Sequence, residues 1–334
     1  MPKKALLTAA LFTLIVWIPR QAFALTITPI RYEISGTPGE VISETITLVN
    51  ETSTPELYYV SFANFEAQGD SGSPTFVDPK DDLGSWMTTE QASVALNPGQ
   101  QKTIPFHIHI PKDAEPGGHF AALFWGTTTS AAPGQVSVGS KTGALVLLSV
   151  KGDVKEQGGL LDFSLRNNVH FYRSLPIGFQ YRFSNQGGDR VKPSGHVIIR
   201  SIFGWRVKKL SANPFDGNVL PGTTRKFSPE WAKRDSIDSK GTQNEPYSFI
   251  RNVKNEWHNF ALGVFRARLD VVFGSQAQHI KSNAVYVVVF PWELLLVCII
   301  GIVPLFYLLR ALIRRYNRAI IKKAQARFQE RRDL

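Results

Sequence analysis

The sequence contains almost no cysteine: Cys298 is the single one among 334 residues. A lone cysteine excludes an intramolecular disulfide, so any exported domain of this chain must be held together by its hydrophobic core alone. Cys298 itself lies in a long apolar run near the C-terminus, where it is one more apolar side chain.

Recognised catalytic motifs are also missing. The sequence contains neither G-x-S-x-G nor H-E-x-x-H, and its only adjacent pair of acidic residues is Asp81–Asp82. That pair lies in PKDDLGSW, which we interpret as a solvated turn rather than as the paired carboxylates of a glycosidase. We therefore predict a non-catalytic protein without a cofactor. An envelope hydrolase or transferase is the alternative that the residues leave open.

Charge is scarce between the two ends of the chain. The formal net charge is +11, yet the last 25 residues carry nine basic and two acidic side chains, and the first 24 carry three basic and no acidic ones. Residues 25–309 are left with a formal charge of only +1. The basic composition belongs to the ends, and we predict that the chain does not bind nucleic acid.

The N-terminus, residues 1–24, has the pattern of a secretory signal peptide. Lys3 and Lys4 precede an apolar run from Ala5 to Ile18, and Ala22–Phe23–Ala24 supplies a small-x-small cleavage site. A retained N-terminal anchor is the alternative, but the run is shorter than the roughly 20 residues that cross a bilayer.

A second apolar segment, residues 291–313, is predicted to span a membrane. It carries no charge from Leu294 to Leu309, and Trp292 is of a type found at membrane interfaces. A buried core helix is the alternative. The basic tail at 314–334 suits a helix lying on anionic headgroups, and the positive-inside rule places it in the cytoplasm with the preceding domains outside.

Between these segments the pattern is all-β. Short alternating runs are separated by Gly, Pro and Asn, and no stretch shows a helical period. In ETITLVN, for example, Ile46 and Leu48 fall on one face of a strand and the threonines on the other. About seven such runs in each half predict two tandem immunoglobulin-like β-sandwiches, at residues 25–152 and 153–290.

One segment departs from the β pattern. KRDSIDSKGTQNEPYSFIRNVKNE, from Lys233 to Glu256, is polar, mixed in charge and poor in side chains to bury. We predict a long loop between two late strands, either functional or disordered.

Three of the seven histidines lie close together, at positions 107, 109 and 119. In KTIPFHIHI, alternation places His107 and His109 on the outer face of a strand. His119 opens the next predicted strand and could lie across a hairpin from His109, which would gather three imidazoles as in a zinc site. No cysteine accompanies them, and alternation alone puts residues i and i+2 on one side. We therefore predict solvated histidines and no bound metal, with a zinc site as the alternative.

The stretch around these histidines resembles a known family. LNPGQQKTIPFHIHIPKDAEPGGHFAALFW contains a Pro-Gly turn, an alternating strand ending in Ile-Pro, and Pro-Gly-Gly-His before a small-residue strand. It is similar to the late strands of the peptidoglycan-binding domain of WxL-interacting surface proteins. FSNQGGDRVKPSGHVIIRSIFGWRV further on resembles the second immunoglobulin-like domain of that family, and the order of signal peptide, two β domains, span and basic tail is similar too.

The resemblance implies envelope attachment through the first domain and partner binding by the second. The residues that match the family's motif are Trp86, Pro98, Gly99, Pro116, Gly117, Gly118 and His119. Most of them are turn residues with a structural role. Trp86 and His119 have side chains on which a glycan could stack or to which it could hydrogen-bond, and His107 and His109 are further binding candidates.

The main hypothesis is a membrane-anchored cell-surface protein whose first domain binds peptidoglycan or another envelope glycan. Its second domain would bind a surface or secreted protein. The alternative is a chaperone-like or assembly protein that accepts a partner's strand at a sheet edge. The run Ala144–Val150, ALVLLSV, is apolar on both faces, as either a buried central strand or a covered edge would be.

Exposed aromatic side chains are another place where a ligand would bind. Four of the seven tryptophans fall in or beside predicted strands, namely Trp125, Trp205, Trp231 and Trp257. The cores of β-sandwiches routinely contain such residues, so we predict that these are core side chains.

Overall fold

The computed structural model describes residues 25–127, 140–233 and 248–330, with side chains as far as residue 321. The predicted signal peptide, residues 1–24, lies outside the described residues. The described residues are mostly in β-strands, which confirms the predicted β class.

The chain divides into two compact units. The first contains the residues up to Gln157 together with Gln186–Arg190 and Leu220–Thr223; the second contains Gly158–Asn185, Val191–Val219 and the residues from Thr224 onward. Each unit consists of two β-sheets and has its own cluster of buried apolar side chains, which is the predicted sandwich architecture.

In the first unit, one sheet has the order β1 (Leu25–Thr28), β3 (Val41–Asn50), β8 (Gln101–His109), β6 (Met87–Thr89). The other sheet has the order β2 (Arg31–Gly36), β10 (Lys141–Val150), β9 (Gly117–Gly126), β4 (Glu56–Gln68), β5 (Ser73–Val77), and β7 (Ser93–Leu96) also pairs with β4. The apolar run at 144–150 is therefore part of an internal strand, β10, rather than of an end strand of its sheet.

The alternation read from the sequence is confirmed in this unit. Ile46 and Leu48 of β3 and Phe106 of β8 are buried in the core. On the opposite face, the hydroxyls of Thr47 and Thr103 are hydrogen-bonded at 3.0 Å. The period of two thus identified the face that each strand turns to the core.

In the second unit, one sheet has the order β11 (Gly158–Leu165), β13 (Ile177–Asn185), β16 (Thr224–Phe227), and β17 (Glu230–Trp231) also pairs with β13. The other sheet has the order β12 (Phe171–Tyr172), β20 (Val285–Val289), β18 (Gly263–Phe273), β14 (Ser194–Ser201), β15 (Arg206–Ser211), with β19 (Gln278–Lys281) against β18. The core between them combines aliphatic side chains with several aromatic ones, among them Phe179, Tyr181 and Phe183 of β13.

The predicted tryptophan burial is right for two side chains and wrong for two. Trp125 and Trp231 are buried, whereas Trp205 and Trp257 are exposed. Trp205 follows a hairpin turn and Trp257 lies on a helix, and neither position can be told from a core position by residue type alone.

The described helices are α1 (Leu83–Trp86), α2 (Phe249–His258) and α3 (Trp292–Glu330). Residues 234–247 of the loop predicted from Lys233 to Glu256 lie outside the described residues, and the last part of the prediction is wrong because α2 begins at Phe249. The buried side of α2 is polar: Glu256 is buried, and its Oε2 accepts a hydrogen bond from the backbone N–H of Leu294 at 2.7 Å. Phe249, Ile250 and Trp257 follow helical spacing but are exposed, so the apolar stripe of α2 does not mark its buried side.

The predicted membrane span lies in α3. Residues Trp292–Ile321 are long and apolar enough to cross a membrane, and their apolar stretch is not buried against the rest of the described chain. The predicted segment, 291–313, begins one residue before α3. By length and composition α3 could therefore span a bilayer.

Candidate functional site

Two residues of the family-like motif, Trp86 and His119, meet on the first unit. Asp82 starts α1, and its Oδ1 accepts a hydrogen bond from the backbone N–H of Leu83 at 2.7 Å. The single turn of α1 brings the Trp86 ring to 4.7 Å from the His119 imidazole, measured between centroids. Trp86 also packs against the core, so it is a half-buried side chain rather than a free platform.

Both ring nitrogens of His119 are engaged. Nδ1 lies 2.6 Å from Oδ1 of Asp82, and Nε2 lies 2.8 Å from the carbonyl oxygen of Glu115. Both partners are acceptors, so the arrangement fits an imidazolium that donates from both nitrogens. Burial alone would lower the pKa of His119, but these hydrogen bonds and the charges of Asp82 and Glu115 raise it above 6.5. His119 thus links β9 to the segments that contain Asp82 and Glu115, and neither of its ring nitrogens is available to a ligand.

A surface depression of about 550 Å³ opens beside this pair. One part of its lining is the Trp86 ring, and the other part is acidic, with Asp81, Asp82, Asp113 and Glu115. Carboxylates accept hydrogen bonds from hydroxyl groups, and an aromatic ring offers an apolar face. The Asp81–Asp82 pair is thus more than the solvated turn that its sequence predicts, because Asp82 supports both α1 and His119.

The other two histidine candidates lie elsewhere. His107 and His109 are on the outer face of β8, but β8 and β9 belong to different sheets, so the hairpin that would bring His119 to them does not form. Nδ1 of His107 lies 2.9 Å from the Ser43 hydroxyl, and Nε2 of His109 lies 3.2 Å from the Thr88 hydroxyl. Within the described residues, no group of three His, Cys, Asp or Glu side chains could hold a metal ion.

The Pro98–Gly99 motif forms a tight turn. The N–H of Gln100 donates to the carbonyl of Asn97 at 3.0 Å, and Gly99 has a φ of 70°, in the left-handed region that favours glycine. These residues set the start of β8 and present no side chain to a ligand.

The Pro116–Gly117–Gly118 motif has a similar structural role. The N–H of Gly118 donates to the carbonyl of Gly188 at 3.0 Å, within the first unit. A Cβ at Gly117 would collide with the same carbonyl oxygen, and the φ of Gly117 is 129°. The two glycines therefore allow a close approach of backbones, which a larger residue would block.

The structure also shows a feature that sequence patterns did not reveal, at β10. This strand pairs with β9 from Lys141 to Val150 but with β2 only from Leu145 onward. The segment before β2 does not continue along β10, because β1 pairs with β3 in the other sheet. The chain passes from one sheet to the other between β1 and β2, at the cis Thr28–Pro29 bond. No described strand pairs with Lys141–Ala144 on that side, and we call this stretch the open half-edge.

The register shows which backbone groups face the open half-edge. On the β2 side, the N–H of Leu145 donates to the carbonyl of Ile30 at 3.0 Å. Alternate residues of a strand direct their N–H and C=O to the same side. Lys141 and Gly143 therefore direct theirs to the open half-edge, whereas Thr142 and Ala144 direct theirs to β9.

The outer face beside the open half-edge is aromatic. Gly143 is opposite Phe124, whose ring lies so close that a Cβ on Gly143 would collide with it. The Phe124 ring meets the Phe76 ring edge to face at 4.9 Å, and Phe76 is 44% exposed. A strand added here would find apolar contacts next to backbone groups that no described strand pairs.

Several other sheet edges carry features that hinder strand addition. Pro74 lies in β5, and β15 carries Lys208 and Lys209. The pairing of β11 is interrupted by an irregularity between Leu160 and Asp162. The open half-edge has one charged side chain, Lys141, at its end.

Comparisons with known proteins give fold-level similarities only. No protein-family model matches the chain, and no curated protein matches it. Among solved structures, the class 5 fimbrial chaperone CfaA is similar at 11% identity over 78% of this chain and 98% of its own, with a TM-score of 0.36. A chain from a chaperone–tip adhesin complex of CFA/I fimbriae is similar at 11% identity over 78% and 97%, with a TM-score of 0.37. The E. coli chaperone DraB is similar at 11% identity over 79% and 97%, with a TM-score of 0.32.

Proposed function

We propose that this chain is a membrane-tethered, non-catalytic protein that binds an extended segment of a protein partner at the open half-edge of β10. The observation that carries the proposal is the backbone of Lys141 and Gly143, which no described strand pairs on the β2 side, in a strand that is otherwise paired on both sides. In this proposal α3 is the tether, both units lie on the outer side of the membrane, and the basic tail lies in the cytoplasm.

Strand addition would make use of the chemistry of this edge. Lys141 and Gly143 each offer one N–H donor and one C=O acceptor to an incoming strand. Each such hydrogen bond contributes about 0.5–1.5 kcal/mol net. Main-chain bonds of this kind give affinity, and the side chains at Phe124 and Phe76 would give selectivity for apolar residues at alternate positions of the partner.

The proposal is tested by hydrogen exchange on the full chain in lipid nanodiscs. A phage-displayed library of extended peptides is panned on the protein, and a synthetic copy of a recovered peptide is the probe. We expect the peptide to protect the amides of Lys141 and Gly143, while those of Thr142 and Ala144, already bonded to β9, change little. Uniform protection, or none, along Lys141–Ala144 would exclude strand addition at this place.

A proline substitution gives a second test. Lys141→Pro removes one donor that faces the open half-edge and leaves the bonds to β9 in place. The matched control Lys141→Ala removes the side chain but keeps the N–H. Loss of one hydrogen bond of about 1 kcal/mol should weaken peptide binding roughly fivefold in the proline variant alone. Equal affinities for the two variants would show that the peptide binds elsewhere.

A second candidate function is binding of peptidoglycan or another envelope glycan at the depression beside Trp86. The observation that favours it is the combination of an aromatic ring with the carboxylates of Asp81, Asp113 and Glu115. Sugars present both hydroxyl groups and an apolar face, which these groups complement. In this arrangement His119 supports the ring and does not itself bind the glycan.

Sedimentation with purified peptidoglycan sacculi tests the second candidate. The full chain in mild detergent should sediment with the sacculi in a saturable way, and Trp86→Ala should abolish this. Trp205→Ala is the matched control, because Trp205 is exposed and lies in the other unit. Equal sedimentation of the Trp86→Ala variant and the native chain would exclude this depression as the glycan site.

A further inference from the structure

The hairpin between β14 and β15 ends in an exposed apolar tip. Ile202, Phe203 and Trp205 are 66%, 79% and 74% exposed, and the two aromatic rings lie 5.8 Å apart. The turn is closed by hydrogen bonds, from the N–H of Gly204 to the carbonyl of Ser201 and from the N–H of Ser201 to the carbonyl of Trp205, both at 2.9 Å. These apolar side chains are therefore presented to solvent by a closed turn.

The register places the tip at the end of the sheet from which the chain enters α3. The carbonyl of Val264 accepts a hydrogen bond from the N–H of Ile202 at 3.0 Å, and Val264 is opposite Val288 of β20. β20 ends at Val289, and α3 begins at Trp292. β14 and β20 run parallel on either side of β18, so the tip and the start of α3 leave the sheet in the same direction, roughly 10 Å apart.

A row of cations lies directly behind the tip. Arg206 of β15 is opposite Arg200 of β14, which is opposite Arg266 of β18, which is opposite Tyr286 of β20. Residues opposite one another share a face of the sheet. Arg200 also donates to the carbonyl of Gly204 in the turn, at 3.0 Å. Within the part of the chain that the structure describes, none of the three arginines forms an ion pair.

The same face stays basic farther from the tip. Lys209 and Arg268 flank Ile198, and Lys281 is opposite Asp270. The pKa of His196 on this face is lowered, first by burial and then by the charge of Lys209. The described face therefore carries an excess of positive charge, which suits an anionic surface.

We infer that the tip, residues 202–205, inserts into the headgroup layer of the membrane that α3 spans, with the arginine row at the lipid phosphates. The inference rests on the membrane tether of the proposed function. Phe203 lies in the turn three residues beyond Arg200, hence at most about 10 Å from it, and apolar side chains enter the interface to a depth of about 5–10 Å. Arginine matches phosphate geometry, and tryptophan and tyrosine favour the interface. Together with α3, the tip would give the second unit two points of contact with the bilayer and one orientation on it.

The test uses the full chain reconstituted into vesicles, with an environment-sensitive fluorophore on a single cysteine. The native Cys298 reports on α3, Phe203→Cys in a Cys298→Ser background reports on the tip, and Gln276→Cys in the same background is the matched control. Gln276 is exposed in the turn between β18 and β19, at the opposite end of the sheet. Vesicles contain either phosphatidylcholine alone or phosphatidylcholine and phosphatidylglycerol in equal amounts, and a lipid-bound quencher measures contact.

We expect several-fold stronger quenching at Phe203→Cys than at Gln276→Cys, and more of it in the anionic vesicles. Arg206→Ala should reduce the preference of the tip for anionic vesicles roughly fivefold, as expected for about 1 kcal/mol for each basic residue near an anionic surface. A quenched label at Cys298 with an unquenched label at the tip would overturn the inference but not the membrane tether. The exposed tip would then be a surface for a protein partner. An unquenched label at Cys298 would overturn the tether itself and the inference with it.

Discussion

The imidazole of His119 and the carboxylate of Asp82 lie 2.6 Å apart, Nδ1 to Oδ1, although 37 positions separate them in the sequence. The same carboxylate oxygen accepts the N–H of Leu83 at the start of α1. One carboxylate thus both caps α1 and holds the imidazole on which Trp86 packs. The geometry of the depression in the first unit depends on this pair.

Because its hydrogen bonds raise the pKa of His119, the first unit should lose stability as the pH rises. Below the ordinary value of 6.5 the imidazole is charged in the folded and the unfolded chain, and its stabilisation is fully present. As the pH rises through the higher pKa of the folded state, the proton and the stabilisation are lost. Amide protection of α1 in the native chain, relative to His119→Gln at the same pH, should be largest at about pH 6 and vanish at alkaline pH.

His109→Gln is the matched control for this measurement. His109 is exposed and has one hydrogen bond, to the Thr88 hydroxyl, so its replacement should change the protection of α1 little at any pH. A difference between the native chain and His119→Gln that stays constant or grows with rising pH would contradict the ion pair with Asp82.

Asn50 should be a large contributor to the stability of the first unit. It is fully buried, and its amide donates to the carbonyls of Thr54 and Leu96 at 2.9 and 3.0 Å. Its oxygen accepts from the N–H and hydroxyl of Thr52 at 3.0 and 2.7 Å and from the Tyr58 hydroxyl at 2.9 Å. Each buried group left without a partner costs about 1–3 kcal/mol. We expect Asn50→Ala to lower the free energy of unfolding by roughly 3 kcal/mol or more.

The measurement is the opening free energy of the first unit from hydrogen exchange, with Asn64→Ala as the control. The Asn64 side chain accepts one hydrogen bond, from the N–H of Gly84 at 2.7 Å, and should cost about a third as much when removed. Equal losses of opening free energy in the two variants would show that the additional hydrogen bonds of Asn50 do not add to the stability of the first unit.

The β class and the core-facing sides of strands could be predicted because they depend on local alternation. Ile46 and Leu48 illustrate this, since each strand must turn one face to a core whatever its neighbours are. The open half-edge could not be predicted in the same way. Whether Lys141–Ala144 has a partner strand depends on where the chain passes from β1 in one sheet to β2 in the other, about 110 residues earlier. The local sequence of β10 contains no information about that position.

The candidate site shows the same limit. The sequence predicted Trp86 and His119 through a resemblance, and the two do meet. It did not predict the hydrogen bond between Nδ1 of His119 and Asp82, because the two residues are far apart in the sequence and only the fold brings them together. The residue type of Trp205 predicts a core position, and only the pairing of β14 with β15 shows that it lies at a hairpin tip.

Zinc should leave the protein unchanged. His107 and His109 lie on one strand with ring centroids 6.3 Å apart, and His119 is on a strand of the other sheet. Within the described residues no third ligand joins them to form a metal site, and two imidazoles alone make a weak site for a metal that takes four ligands. We expect stoichiometric zinc to shift neither the melting temperature nor the exchange of β8. Saturable zinc binding that His107→Ala abolishes would contradict this expectation.

The last prediction concerns the start of α3, where Glu256 of α2 accepts the N–H of Leu294 at 2.7 Å. A carboxylate at this position satisfies a free donor of the first helical turn and interacts favourably with the helix dipole. Hydrogen bonds to charged groups contribute about 1.5–3 kcal/mol, so Glu256→Ala should lower amide protection across α2 by roughly tenfold or more. Glu256→Gln keeps an acceptor without the charge and should lose less.

Glu230→Ala is the matched control for Glu256→Ala, because Glu230 forms a solvent-exposed ion pair with Arg166 at 3.3 Å. Such exposed pairs contribute about 0–1 kcal/mol, so the protection of α2 should not change in this variant. Unchanged protection of α2 in Glu256→Ala would mean that α2 is held by other contacts. In that case the polar contact with Leu294 would not explain why a helix forms where the sequence predicts a loop.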